Sequence, residues 1–179
     1  KRYLLNAKYA NEEQKFFEAY KEMNSDEKYL EEVENLYNAT VKLTAGNTIP
    51  NILLVNTDNA VKDLQSIVTA PTVLYFWSAQ SSAQYKNIHN RAAELKSKYP
   101  EYDFIGINTD THFRKWRQTV KKTGYDAQKE FQLENISDAG EKLVLSSMSK
   151  AIILDKNAII LEGKSNMFNP NFEELLLGF

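Results

Sequence analysis

The sequence predicts a mixed α/β domain preceded by a helical segment, and three observations carry that expectation. After about residue 45, short β-branched and aromatic runs alternate with helical stretches, the pattern of parallel strands joined by crossover helices. Near the end, KAIILDKNAIILEG sets two apolar runs around Asp155, Lys156, Asn157 and Ala158, which reads as a β-hairpin. Before residue 45 the rhythm is helical.

Taken in order, residues 9–23 and 26–42 are expected to form two helices. Phe16, Phe17, Tyr20 and Met23, then Leu30, Val33 and Tyr37, recur at helical spacing among Glu and Lys, and Ser25 or Asp26 can cap the second. The segment TAGNTIPN gathers Gly46 and Pro50 with small polar residues and marks a boundary. This gives a helical extension over 1–42 and a main domain over 43–179. Within the domain, NILLVN, TVLYFW and YDFIGIN read as strands, with helices near 59–67, over 82–98 and over 111–122 between and after them. NFEELLLGF closes the chain as an amphipathic helix. The sum is a mixed sheet with helices on both faces.

A chain of 179 residues can bury one substantial core. Its 22 Lys plus Arg against 24 Asp plus Glu leave a formal charge of −2, so no global field draws in nucleic acid, and no nucleic-acid partner is expected. No apolar run approaches the roughly 18 residues that span a bilayer, so no membrane span is expected. The chain opens on Lys1 and is expected to be cut from a longer precursor. With no cysteine at all, disulfides, thiolate chemistry and cysteine-ligated metal are excluded. The two histidines, His89 and His112, stand apart, and no Walker or dinucleotide glycine pattern occurs, so neither metal nor cofactor is expected.

Several residues then fall into a known order. Gly46 and Pro50 precede the first strand as Gly-x-x-x-Pro. TVLYFW runs into Phe76, Trp77, Ser78, Ala79, Gln80, Ser81, Ser82, Ala83 and Gln84. Leu95, Lys96 and Tyr99 close the helix that follows, and FIGINTD and Trp116 come next. From about Leu43 to Phe179 the chain resembles the thioredoxin fold, in the branch of bacterial envelope thiol-disulfide oxidoreductases and redoxins. The resemblance implies a mixed sheet flanked by helices and an active site of the form Phe-Trp-Ala-Ser-x-Cys-x-x-Cys. Ser81 stands at the nucleophile position and Gln84 at the resolving one. The family's cis-proline, six residues before the hairpin Asp155, is replaced by Ser149. A non-proline cis bond costs about 2.5–4 kcal/mol, so a trans bond is expected there. The family reaction needs a thiolate at a helix start and a second thiol to resolve the mixed disulfide. Three departures at Ser81, Gln84 and Ser149 together read as natural degeneration.

The function implied is a redox-inactive thioredoxin-like module that binds or scaffolds in the bacterial envelope or periplasm, leaning away from an enzyme. Its partner is expected to be a protein or peptide held in the groove around Trp77, Ser81, Gln84 and Ser149. Two other readings stay open: an enzyme with lost or relocated catalysis, and a structural or oligomerising domain resting on the N-terminal helices and EELLLGF.

Single residues are weighed against blander roles. His89 lies eight residues beyond Ser81, on the order of 12 Å along one helix, too far for a direct hydrogen bond. A triad of Ser81, His112 and Asp110 has nothing in the spacing to support it. Ser81 and Ser82 at a helix start read as caps. Trp77 and Trp116 read as packing residues, with Trp77 the better choice for a surface contact because the family position lies at the rim of the site. The cluster Arg114, Lys115, Arg117, Lys121 and Lys122 reads as a solvated helix face, with an anionic partner as the alternative. Asn38-Ala-Thr and Asn135-Ile-Ser match the glycosylation triplet.

Overall fold

A computed structural model describes residues 10–145 and 149–179 of the chain. Helices α1 (Ala10–Met23) and α2 (Glu27–Lys42) come first. Residue 9, expected to open α1, lies outside the described residues. Asp26 caps α2 by accepting from the backbone N–H groups of Lys28 and Tyr29, which satisfies two of the free donors at the helix start. Phe17 stacks on Tyr37, with ring centroids 4.5 Å apart, and packs with Val33 between the two helices.

The remaining elements are β1 (Leu53–Val55), β2 (Val61–Asp63), α3 (Leu64–Ile67), β3 (Thr72–Trp77), α4 (Ser82–Lys98), β4 (Asp103–Asn108), α5 (Phe113–Thr123), β5 (Glu130–Leu133), α6 (Ile136–Lys142), β6 (Lys150–Leu154), β7 (Ile160–Asn166) and α7 (Phe172–Gly178). The strands form one sheet in the order β2-β1-β5-β4-β3-β6-β7. β3 runs parallel to β4 and β4 to β5, while β6 and β7 form an antiparallel hairpin joined to β3. This is the thioredoxin-like mixed sheet flanked by helices, with helices at its N-terminal side, that the sequence predicts.

Two parts of the chain differ from expectation. The helix near 59–67 is a turn at Asn59, whose φ is 65°, followed by the short edge strand β2 and a single turn of helix. Val61 and Lys62 are exposed on that edge, so the apolar and polar residues there do not build a buried helical face. Strand β5 and helix α6 go unread in the sequence: EFQL is too short and too polar to carry a strand pattern. Asn135 accepts from the N–H of Asp138 and so caps α6, which gives that residue a structural role.

All of β3 is buried, and alternate residues feed two cores. Leu74 and Phe76 face a core with Ile105, Ile107, Ile152 and Leu154, under α3 and α6. Val73, Tyr75 and Trp77 face the other, with residues of α4, α5 and α7. The helical pair joins the sheet at β7. The carbonyl of Leu43 lies where a Cβ on Gly163 would stand, so only glycine fits at that crossing. Beside it Glu13, 1% exposed, is ion-paired with Lys164. The N–H of Gly46 donates to Ile160, and that of Ile160 to Asn47.

Candidate functional site

The degenerate motif lies at one end of the sheet. β3 and β4 both end there, at Trp77 and Asn108, and antiparallel β6 begins there, one residue after Ser149. Helices α4 and α5 also start at this end. Parallel strands followed by helices place loops from several elements at one rim, so residues far apart in sequence meet.

Ser81 is exposed and caps α4, its Oγ accepting from the backbone N–H of Gln84 at 3.4 Å. Gln84 is half-buried in the first turn. Ser149 is half-buried, and its Oγ accepts from Nδ2 of Asn166 at 3.1 Å. The peptide bond before Ser149 joins it to Met148, outside the described residues; among the described residues none is cis. Ser81 and Gln84 are thus joined by the cap, and Ser149 faces β7 at the same end of the sheet.

The loop between β3 and α4 is fixed from β4. Asp110 accepts from Ser78 Oγ at 2.6 Å and from the N–H of Ala79 at 2.5 Å, and Asn108 donates to it at 3.2 Å. Gln132 of β5 donates to the carbonyl of Asp110 at 2.6 Å. Both oxygens of Asp110 are therefore engaged in holding the loop. His112 stands exposed at the start of α5, with no side-chain capping bond. Among the described residues no hydrogen bond joins Ser81, His112 and Asp110 into a relay.

Trp77 requires a correction. It is 0% exposed, so it presents no ring to a ligand at the rim. Its indole N–H donates to Glu130 Oε2 at 2.9 Å. Tyr85 and Tyr125, both half-buried, cover it with ring centroids 5.8 and 6.3 Å away. They are 6.5 Å from each other and nearly perpendicular. The aromatic rings nearest solvent above Trp77 are those of this tyrosine pair.

Beneath them lies a cluster that the sequence does not announce. Glu130, 2% exposed, accepts from the Tyr75 hydroxyl at 2.8 Å as well as from Trp77, and faces His89 Nε2 at 3.0 Å. His89 Nδ1 lies 2.7 Å from the carbonyl of Tyr85, which can only accept, so Nδ1 carries a hydrogen. The His89 ring stacks on Tyr125 at 3.6 Å. Burial first, and then the adjacent Glu130, push the Tyr75 phenol well above its ordinary range. Gly106 makes room: a Cβ there would come within 2.5 Å of a Glu130 oxygen. A carboxylate that accepts from two buried donors, with a histidine ring nitrogen facing it, is a stable arrangement for a buried polar group, and it is closed to solvent. Nothing in EFQL signals it, because the strand is too short and polar to be read and the partners of Glu130 come from β3 and α4.

The family model described as thioredoxin-like matches residues 70–160. Solved structures share the fold. A protein from Bacteroides vulgatus assigned as a thiol-disulfide oxidoreductase is 16% identical with a TM-score of 0.63, over 76% of this chain and 97% of that one. A domain from Cytophaga hutchinsonii assigned as a thiol-disulfide isomerase is 18% identical with a TM-score of 0.63, over 75% and 92%. A thioredoxin-like protein from Bacteroides caccae is 14% identical with a TM-score of 0.66, over 87% of this chain and 57% of its own. No curated protein sequence matches significantly. At these identities the structures speak for the fold alone. With a family model spanning just over half of its length and the motif loop at the expected strand end, the chain belongs to the thioredoxin-like family.

Proposed function

We propose that this chain is a redox-inactive thioredoxin-like binding module, which holds an extended peptide of a partner protein against the rim formed by Gln80, Ser81, Gln84 and Ser149. The observation that carries the reading is the pairing of lost thiols with a retained frame. The reactive positions hold Ser81 and Gln84 in a chain without cysteine, while Asp110 holds the loop through two hydrogen bonds and is itself braced by Asn108 and Gln132. A serine hydroxyl is a weak nucleophile near neutral pH unless a base activates it, and Ser81 is used as a cap. Tyr85 and Tyr125 supply the aromatic contact. We place the module in the bacterial envelope, as the family resemblance implies. Among the described residues no helix is long and apolar enough to cross a membrane.

Two measurements test this. Insulin-disulfide reduction and peroxide consumption by the purified chain should equal a boiled control, with exogenous thiol subtracted; turnover above it refutes redox inactivity. Tyr125→Ala and Gln84→Trp, placed at the rim, should each weaken capture of a partner peptide at least tenfold, while Ser81→Ala should leave it within threefold. Equal capture by all three removes the rim from the function.

A further inference from the structure

Helix α5 carries five cations, Arg114, Lys115, Arg117, Lys121 and Lys122, and no acidic residue. All five are exposed, while Trp116 and Val120 fill the core on the opposite side and Phe113 is half-buried. Stepping about 100° per residue, the cations cover nearly half of the helix circumference, with the neutral Gln118 among them. What sets them apart is their concentration on one helix face, since exposed Lys62, Lys96 and Lys156 also meet no carboxylate among the described residues. Arg91, Lys98, Lys129, Lys142 and Lys164 each meet a carboxylate within the chain. No ion pair within the described residues engages the five cations of α5. Lys115 instead reaches across to the motif loop, donating to Gln80 Oε1 at 3.0 Å. The basic face thus runs without a break into the degenerate rim.

We propose that this face binds an acidic, extended segment of a partner protein. The proposal deepens the binding reading above, because it names the chemistry of the segment that passes the rim, and it rests on that reading for the continuity at Lys115. Three features favour a short acidic peptide over a larger polyanion. The chain is net −2 although one helix carries five positive charges, so the rest of the surface is acidic and opposes a bilayer or a nucleic acid that extends beyond the helix. At 0.1 M salt this repulsion reaches about 10 Å, enough to act at the edges of the face. The apolar side of α5 is spent on the core, so it has no hydrophobic face to insert into lipid. The length also fits. Eleven residues make a helix of about 16 Å, which an extended segment of about five residues spans.

The test is fluorescence anisotropy with a fluorescein-labelled decapeptide of alternating Glu and Ser, at 50 mM and 500 mM salt. A Gln-for-Glu version, phosphatidylglycerol vesicles and an oligo-dT strand serve as competing probes. The full chain should bind the acidic peptide, lose it in high salt, and ignore the Gln version. A variant combining Arg114→Glu, Arg117→Glu and Lys121→Glu should weaken binding at least tenfold. A control combining Lys62→Glu, Lys96→Glu and Lys156→Glu, with the same net charge, should stay within threefold. No binding, equal loss in the control, or tighter binding of vesicles or oligo-dT overturns the proposal. If Gln84→Trp abolishes binding and the α5 variant does not, the rim stands and the basic face falls. If the α5 variant alone abolishes it, the face stands and the rim falls.

Discussion

Trp77 and Trp116 are equally buried, each 0% exposed and each in the same core under α4, α5 and α7, yet they are held differently. Trp77 donates its indole N–H to Glu130, which also binds Tyr75 and faces His89. Trp116 packs against Phe113 at 5.3 Å, and its N–H finds no acceptor among the described residues. One tryptophan is tied into a charge-assisted network beneath the old active site. The other fills volume. The difference teaches that the frame of this degenerate site persists through buried polar chemistry that is independent of the reactive positions above it.

The largest test removes the anchor of that network. Glu130→Ala takes the shared acceptor from Tyr75 and Trp77 and the facing carboxylate from His89, and should cost about 3–5 kcal/mol of stability, because buried polar groups are left without partners. Urea denaturation reads it. A loss under 1 kcal/mol would mean that the cluster contributes no more than ordinary packing.

A second buried tie responds to pH. Lys150, 9% exposed, donates to the carbonyls of Leu143 and Val144 at the end of α6, and burial lowers its pKa from 10.5 to about 8. Between those two values the unfolded chain holds the proton that the folded chain has released. Stability from this group therefore rises as pH rises from about 8 to 10.5, by up to about 3 kcal/mol. Subtracting the pH profile of Lys150→Met from that of the native chain isolates the effect. A flat or falling difference would contradict the sign.

Replacing each tryptophan with phenylalanine sharpens the comparison directly. Trp77→Phe loses a hydrogen bond to a charged group and should cost about 1.5–3 kcal/mol for that bond. Trp116→Phe removes a donor that has no partner, which offsets part of the lost packing, so its cost should be the smaller by at least about 1 kcal/mol. Equal costs, read by thermal or chemical unfolding, would erase the distinction. The smallest expected effect is at the surface. Ser81→Ala removes one cap and should cost about 1 kcal/mol.

These contrasts also explain what the sequence makes legible. Strand β3, helix α4, the parallel β3–β4 pair and the hairpin at Asp155 are readable because each is a long or strongly patterned run whose neighbours are implied by the order of elements. Ser81 as a cap is readable because the reason is local. Glu130 is not, since its partners Tyr75, Trp77 and His89 lie 41–55 residues away and nothing in EFQL marks an acid as buried. The rim position of Trp77 is misjudged for a related reason. Whether a strand-end ring faces out depends on Tyr85 and Tyr125, which come from α4 and from the turn after Gly124. Asp110 is legible as a residue, but its hold on Ser78 and Ala79 is a product of parallel strands ending together.

The crossing of Leu43 over Gly163 has a consequence for how the chain assembles. The helical pair leaves the ribosome among the first residues described, whereas its seat on β7, with Gly163 and Lys164, emerges about 120 residues later. The β1–β2 pair waits as well, because β5, which joins β1 to the rest of the sheet, begins at Glu130. Such long-range closures are entropically costly and slow to form. Native-state hydrogen exchange should then find the early helices opening at lower free energy than β3 and β4, with Gly163→Ala widening that gap while leaving the central strands protected.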